Sequence, residues 1–116
     1  MTIHDPAVTT EQRAEVIAGL RAMAQFLQDR PEVPCPQYVR QQHSFLEPLD
    51  TSTWERVPVP DAEKIRFVQS VAAMLGVEAE VTEAYAMVEY AVGARTTYAV
   101  HANLRGDGTA EAVDAR

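Results

Sequence analysis

From Val77 to Leu104 apolar and polar side chains alternate, and this period of two restricts the fold more than any other feature of the chain. Neighbouring side chains on a strand point to opposite faces. Val88, Tyr90 and Val92 therefore share one face, and Tyr98, Val100, Ala102 and Leu104 share one face of the next strand. Opposed residues of an antiparallel pair point the same way, so the two sets meet only across a loop with an odd number of residues. Gly93 to Arg95 is that three-residue loop, pairing Val92 with Thr96, Tyr90 with Tyr98 and Val88 with Val100. The whole segment predicts three strands in a meander. By the same alternation the face left open carries Glu78, Glu80, Thr82, Tyr85, Met87, Glu89, Thr97, His101 and Asn103.

The other face needs a cover, and two segments with helical spacing precede the meander. Thr9 followed by Gln12 has the spacing of a capping box, and Val16, Ile17, Leu20, Met23, Ala24 and Leu27 behind it form one apolar stripe. Pro31, Pro34 and Pro36 remove backbone donors and force extended geometry on the residues before them, so this helix ends near Arg30 and a stiff connector follows. Gln37 to Leu46, with Tyr38, Val39, Phe45 and Leu46, reads as a strand. Glu47 to Pro60 is rich in turn formers, with a short edge strand at Trp54 to Val57. A second helix starts with Asp61 as N-cap, carries Ile65, Val68, Ala72 and Leu75 on its apolar side, and stops at a left-handed Gly76. The order α-β-α-β-β-β predicts an α+β fold, a two-layer sandwich with a mainly antiparallel sheet and both helices on one face. Residues 1–8 are expected to be a flexible N-terminus, 9–104 a single domain and 105–116 a disordered C-terminal tail, since the tail has no apolar cluster to offset the entropy of ordering it.

The 116 residues are 47% hydrophobic and 23% charged, ordinary globular values that exclude a fibrous or disordered chain. The net charge of −7 repels phosphate backbones and anionic lipid, so direct nucleic-acid or membrane binding is not expected, while a basic protein partner fits. Cys35 is the single cysteine, which excludes an internal disulfide and fits a reducing, cytoplasmic setting. The start, with His4, Asp5 and Pro6, has no export-leader pattern.

The run Leu20 to Pro36, in which Leu20, Ala24, Phe26, Leu27, Pro31, Pro34 and Pro36 carry the pattern, resembles the opening of small uncharacterised actinobacterial and actinophage proteins. Those proteins begin with such a helix, a proline-punctuated connector and a strand, and the similarity extends over about residues 14 to 104, apart from the longer segment Glu47 to Pro60. The resemblance implies a cytoplasmic protein, of phage or mobile-element origin, and brings no assigned activity, cofactor or functional residue.

The chain has no phosphate-binding glycine loop, nucleophile elbow or paired zinc-ligand motif. Glu78, Glu80, Glu83 and Glu89 lie in a stretch, residues 67 to 94, that has no lysine or arginine. Together with Tyr85, Met87 and His101 on the open sheet face, Glu78, Glu80 and Glu89 are the candidate partner-binding residues of a non-enzymatic accessory module. The duller account is charge that keeps sheet edges from pairing. An alternative is a small enzyme or ligand-binding domain in which Glu89 orients His101 for proton transfer, and a further one is a homo-oligomer joined through Tyr85 and Met87. Cys35 with His43 or His101 as a thiol and imidazole pair, and His43, His101 and Glu89 as metal ligands, are weaker readings, because each needs convergence that the spacing does not supply. Trp54 is a candidate contact anchor or the cover of a core edge. Arg105, Gly106 and Asp107 spell a short adhesion tripeptide that carries no weight here.

Overall fold

A computed structural model describes residues 8–106. The chain divides into two compact units, the first ending at Gln37 and the second beginning at Tyr38. The first is built on helix α1, Thr10–Asp29. Its capping box is formed as the sequence predicts: the Gln12 amide donates to the Thr9 hydroxyl at 3.0 Å, and the Thr9 amide donates to the Gln12 side chain at 2.8 Å. The helix closes at Arg30, whose amide still donates to the Phe26 carbonyl at 3.1 Å before Pro31 removes the next donor. No residue of α1 is buried.

The second unit contains β1 (Val39–Ser44), β2 (Leu49–Asp50), β3 (Glu55–Arg56), α2 (Asp61–Leu75), β4 (Glu80–Val81), β5 (Tyr85–Gly93) and β6 (Thr96–Asn103). The fold is α+β, with a mainly antiparallel four-stranded sheet in the order β1-β6-β5-β4 and a separate β2-β3 hairpin. The meander β4-β5-β6 is antiparallel, and Val88 faces Val100 and Tyr90 faces Tyr98 as parity requires. The turn differs in one respect: Gly93, not Val92, pairs with Thr96, and the register shifts between Ala91 and Gly93. Val92 is therefore the extra residue of a bulge above a two-residue turn, which keeps the parity that a three-residue loop would have given. At the other end Thr82 makes the β4-β5 turn, its hydroxyl accepting from the amides of Ala84 and Tyr85 at 3.1 Å. β1 joins β6 in parallel, a direction that alternation alone does not reveal.

Helix α2 supplies the cover of the sheet. Ile65, Val68 and Ala72 pack on Ala86 and Val88 of β5 and Val100 and Ala102 of β6, all essentially withdrawn from water. Alanines at 72, 86 and 102 let helix and strands approach, and Phe45 closes one end edge-to-face on Phe67 at 5.5 Å. Gly76 ends α2 at φ +70°, its amide donating to the carbonyls of Ala72 and Ala73, a left-handed cap that a Cβ would strain.

The start of α2 corrects the sequence reading. Pro60 is the N-cap, without a side-chain bond, and Asp61 is the first helical residue. Its buried carboxylate turns away from the helix and accepts from the amides of Arg105 and Gly106, each at 2.9 Å. Arg105 and Gly106, assigned to the tail from their composition, are thus bonded to the body; the rest of that segment, like residues 1–7, lies outside the described residues.

Candidate functional site

The face of the sheet away from α2 is assembled by register. Glu80, Met87, His101 and Ser44 form one row across the four strands, and Glu89, Ala99 and Gln42 form another. Arg40 enters from β1 opposite Thr97. The parallel pairing of β1 with β6 therefore brings Arg40, Gln42 and Ser44 to the same face as the predicted residues, a contribution the sequence reading missed. The sequence holds no local trace of it: Arg40 to Ser44 is polar at every position, which marks neither a face nor a partner strand.

Two sets of contacts organise this face. In the first, the Tyr85 hydroxyl donates to Glu80 Oε1 at 3.0 Å, and its ring stacks on His101 at 5.4 Å with 26° between the planes. The Glu80 hydrogen bond raises the Tyr85 pKa above its ordinary value, with burial and the charges of Glu80 and Glu89 acting in the same direction. In the second, Arg40 spans Ala99 to pair with Glu89, while its Nε and Nη2 donate to Gln42 Oε1 at 3.2 Å and its Nη2 lies 3.2 Å from Met87 Sδ. Gln42 in turn donates to the Ser44 hydroxyl at 3.2 Å. Ala99 is fully buried although it lies on the open face, because this side-chain layer roofs it.

The structure thus places Glu80, Tyr85, Met87, Glu89 and His101 on one face, as the alternation predicts, with exposed Glu78 two residues ahead of Glu80. The proposed acid and base pair is not assembled there. Arg40 takes Glu89, and His101 is held against Tyr85. His43 sits opposite Val100 and so belongs to the helix side, with the sheet between it and His101. Among the described residues no group of three or more His, Cys, Asp or Glu is placed to hold a metal ion. Cys35 is exposed, its thiol 3.6 Å from the Pro36 carbonyl.

Trp54 covers no core edge: it is 74% exposed, at the tip of the β2-β3 hairpin. Its backbone is left-handed at φ 61°, fixed by a 2.7 Å bond from its amide to the Asp50 carbonyl. Asp50 shapes the same tip, accepting from the Ser52 hydroxyl at 2.6 Å and amide at 2.9 Å, bonds that lower its pKa.

A second polar cluster, between α2 and the end of β6, serves the fold. Glu47 is reached by the Arg105 guanidinium, by the Val59 amide at 2.9 Å and by Lys64 Nζ at 3.3 Å, while Lys64 also donates to the Asn103 carbonyl at 3.0 Å. Chiefly through Arg105, and against the opposing effect of burial, these partners hold the Glu47 pKa at about 2.

Comparison of the chain with protein-family models, with curated proteins and with solved structures gives no match. Among the described residues no helix is long and apolar enough to cross a membrane.

Proposed function

We propose that the chain is a non-enzymatic protein-binding module that receives a basic, extended segment of a partner along the β4-β5 side of its open sheet face. One observation carries the reading: Glu80, Tyr85, Met87 and His101 form a connected patch, with the Tyr85 hydroxyl on Glu80 and its ring on His101. A patch of fixed carboxylate, aromatic and thioether groups recognises cations and apolar stems together, as lysine and arginine side chains present them. Charge supports the same partner, since Glu78, Glu80 and Glu83 lie in a stretch free of basic residues. β4 pairs only with Ala86 and Met87, so among the described residues no strand pairs with the Val88–Gly93 half of β5 on that side, and an extended segment can add there. A cytoplasmic accessory role, of the phage or mobile-element kind that the sequence resemblance implies, accords with such a module.

Selection from a displayed random-peptide library tests the reading, with the variant carrying Glu78→Lys and Glu80→Lys as counter-selection. Glu89 is left intact because its reversal would also set a lysine against Arg40. Peptides rich in Lys and Arg that bind the native chain and lose at least tenfold in affinity on the variant are the expected result. Enriched peptides that bind both proteins equally, or no enrichment, would overturn it.

A further inference from the structure

We propose that α1 is a self-association element that pairs antiparallel with α1 of a second copy of this chain. Val16, Ile17, Leu20, Met23 and Phe26 are 40–58% exposed on a 20-residue helix that buries none of its residues. An isolated helix of this length is marginal in water, and Gly19 in its interior costs about 1 kcal/mol relative to alanine. A stripe of this kind calls for a cover.

The spacing selects the cover. Arg13, Val16, Leu20, Met23, Leu27 and Arg30 recur at intervals of three and four, the seam of two helices packed knobs into holes. An antiparallel partner related by a two-fold axis between Leu20 and Met23 sets Leu20 against Met23 and Val16 against Leu27, in layers that repeat in reverse order. The residues flanking the seam decide the direction. In the antiparallel pair the ring of Phe26 falls against Gly19 of the other copy and Ile17 falls against Ala24, so each large side chain meets a small one. In a parallel pair Gly19 would face Ala24 and leave a gap at mid-seam. Among the described residues a Cβ built on Gly19 meets nothing within 4 Å, and Phe26 is an exposed ring of a size to enter that space. Arg30 lies over the Phe26 ring at 5.5 Å, and with Arg13 it closes the seam at either end, stem on the apolar edge and charge in water. Opposed macrodipoles favour the same direction.

Two heptads make a small interface, so the association is weak and depends on concentration. Sedimentation velocity of the full chain from about 5 to 500 μM is expected to show a monomer passing to a dimer. Leu20→Glu should abolish the dimer. Gly19→Leu should weaken it at least tenfold while improving helix propensity, which separates lost pairing from lost folding. In a Cys35→Ser background, mixed Arg13→Cys and Arg30→Cys chains should form the 13-to-30 disulfide in preference to either like-with-like product. A monomer at every concentration overturns the proposal, and a fall in melting temperature of that monomer on Leu20→Glu would assign the stripe to a cover within the same chain. A dimer that survives Leu20→Glu, or a preference for the 13-to-13 disulfide, overturns it as well.

Discussion

Lys64 Nζ lies 3.3 Å from Glu47 Oε2, with the two side chains only 6% and 14% exposed, so the second unit contains an ion pair largely removed from water. Breaking such a pair leaves the other charge desolvated, and its cost exceeds what a surface pair is worth. The Glu47 pKa is about 2 against an ordinary 4.5, so between these values the unfolded chain binds the proton that the folded chain does not. The stabilisation is fully present above about pH 4.5 and is lost as pH falls toward 2. Because Arg105 is half exposed and water screens it, the contribution is roughly 1–3 kcal/mol. Urea unfolding from pH 7 to pH 2 should show Glu47→Gln less stable by that amount at neutral pH and indistinguishable from the native chain near pH 2. A difference that does not shrink with acidity would mean that Glu47 acts through packing.

Asp61 secures the chain beyond β6 to the start of α2, its carboxylate taking the amides of both Arg105 and Gly106. Gly106 has φ +76°, a left-handed backbone that glycine adopts without a Cβ penalty. Asp61→Ala should destabilise the fold by about 2–4 kcal/mol, because two donors lose a charged acceptor at a buried position. Hydrogen exchange read at the Arg105 and Gly106 amides should accelerate well before global unfolding. Unchanged protection at both amides would show that other contacts hold this segment.

What the sequence disclosed and what it hid follow from the range of the interactions. The capping box of Thr9 and Gln12, the left-handed Gly76 and the Val88 to Val100 register all rest on neighbours within a few residues or on parity across one turn, and each is present. Tyr85, Met87, Glu89 and His101 fell on the expected face for the same reason. Arg40 was not recognised as their companion, because its place depends on a parallel pairing with β6 that no local signal announces. The Glu47, Asp61, Lys64 and Arg105 cluster was equally hidden: Glu47 and Arg105 are 58 residues apart, and both read as ordinary turn and tail residues. Asp61 illustrates the limit, since an acid at a helix start is as good a cap in sequence as it is an anchor for a distant strand end.

Ala99 offers a test of the open face that separates sterics from charge. The Arg40 to Glu89 pair runs across it with side chains 39% and 49% exposed, so the pair itself contributes little, about 0–1 kcal/mol. Glu89→Gln should therefore leave the urea midpoint almost unchanged. Ala99→Leu, in contrast, inserts a branched side chain beneath the roof formed by Arg40 and Gln42 and should cost about 1–3 kcal/mol. If the two variants are equally stable, the roof is loose and Ala99 is not the floor of a packed layer.

Trp54 presents the opposite balance of forces. A left-handed backbone places Cβ against the following carbonyl, at a cost of roughly 1–2 kcal/mol for a residue other than glycine, with asparagine less penalised. Its 74% exposure means that little apolar burial compensates within the described residues. Trp54→Asn should then hold or raise the melting temperature, by an amount corresponding to about 0.5–1 kcal/mol, with the Asp50 and Ser52 bonds still shaping the turn. A loss greater than 1 kcal/mol would show that the indole packs on the protein in solution. A neutral or stabilising outcome leaves a large aromatic side chain in water at a conformational cost, which is the balance of a residue kept for contact with something outside its own unit. Repeating the peptide selection with the Trp54→Asn variant then asks whether the hairpin tip shares the partner of the open sheet face: a drop in affinity at unchanged stability places both in one binding surface, and an unchanged affinity confines recognition to the patch around Tyr85.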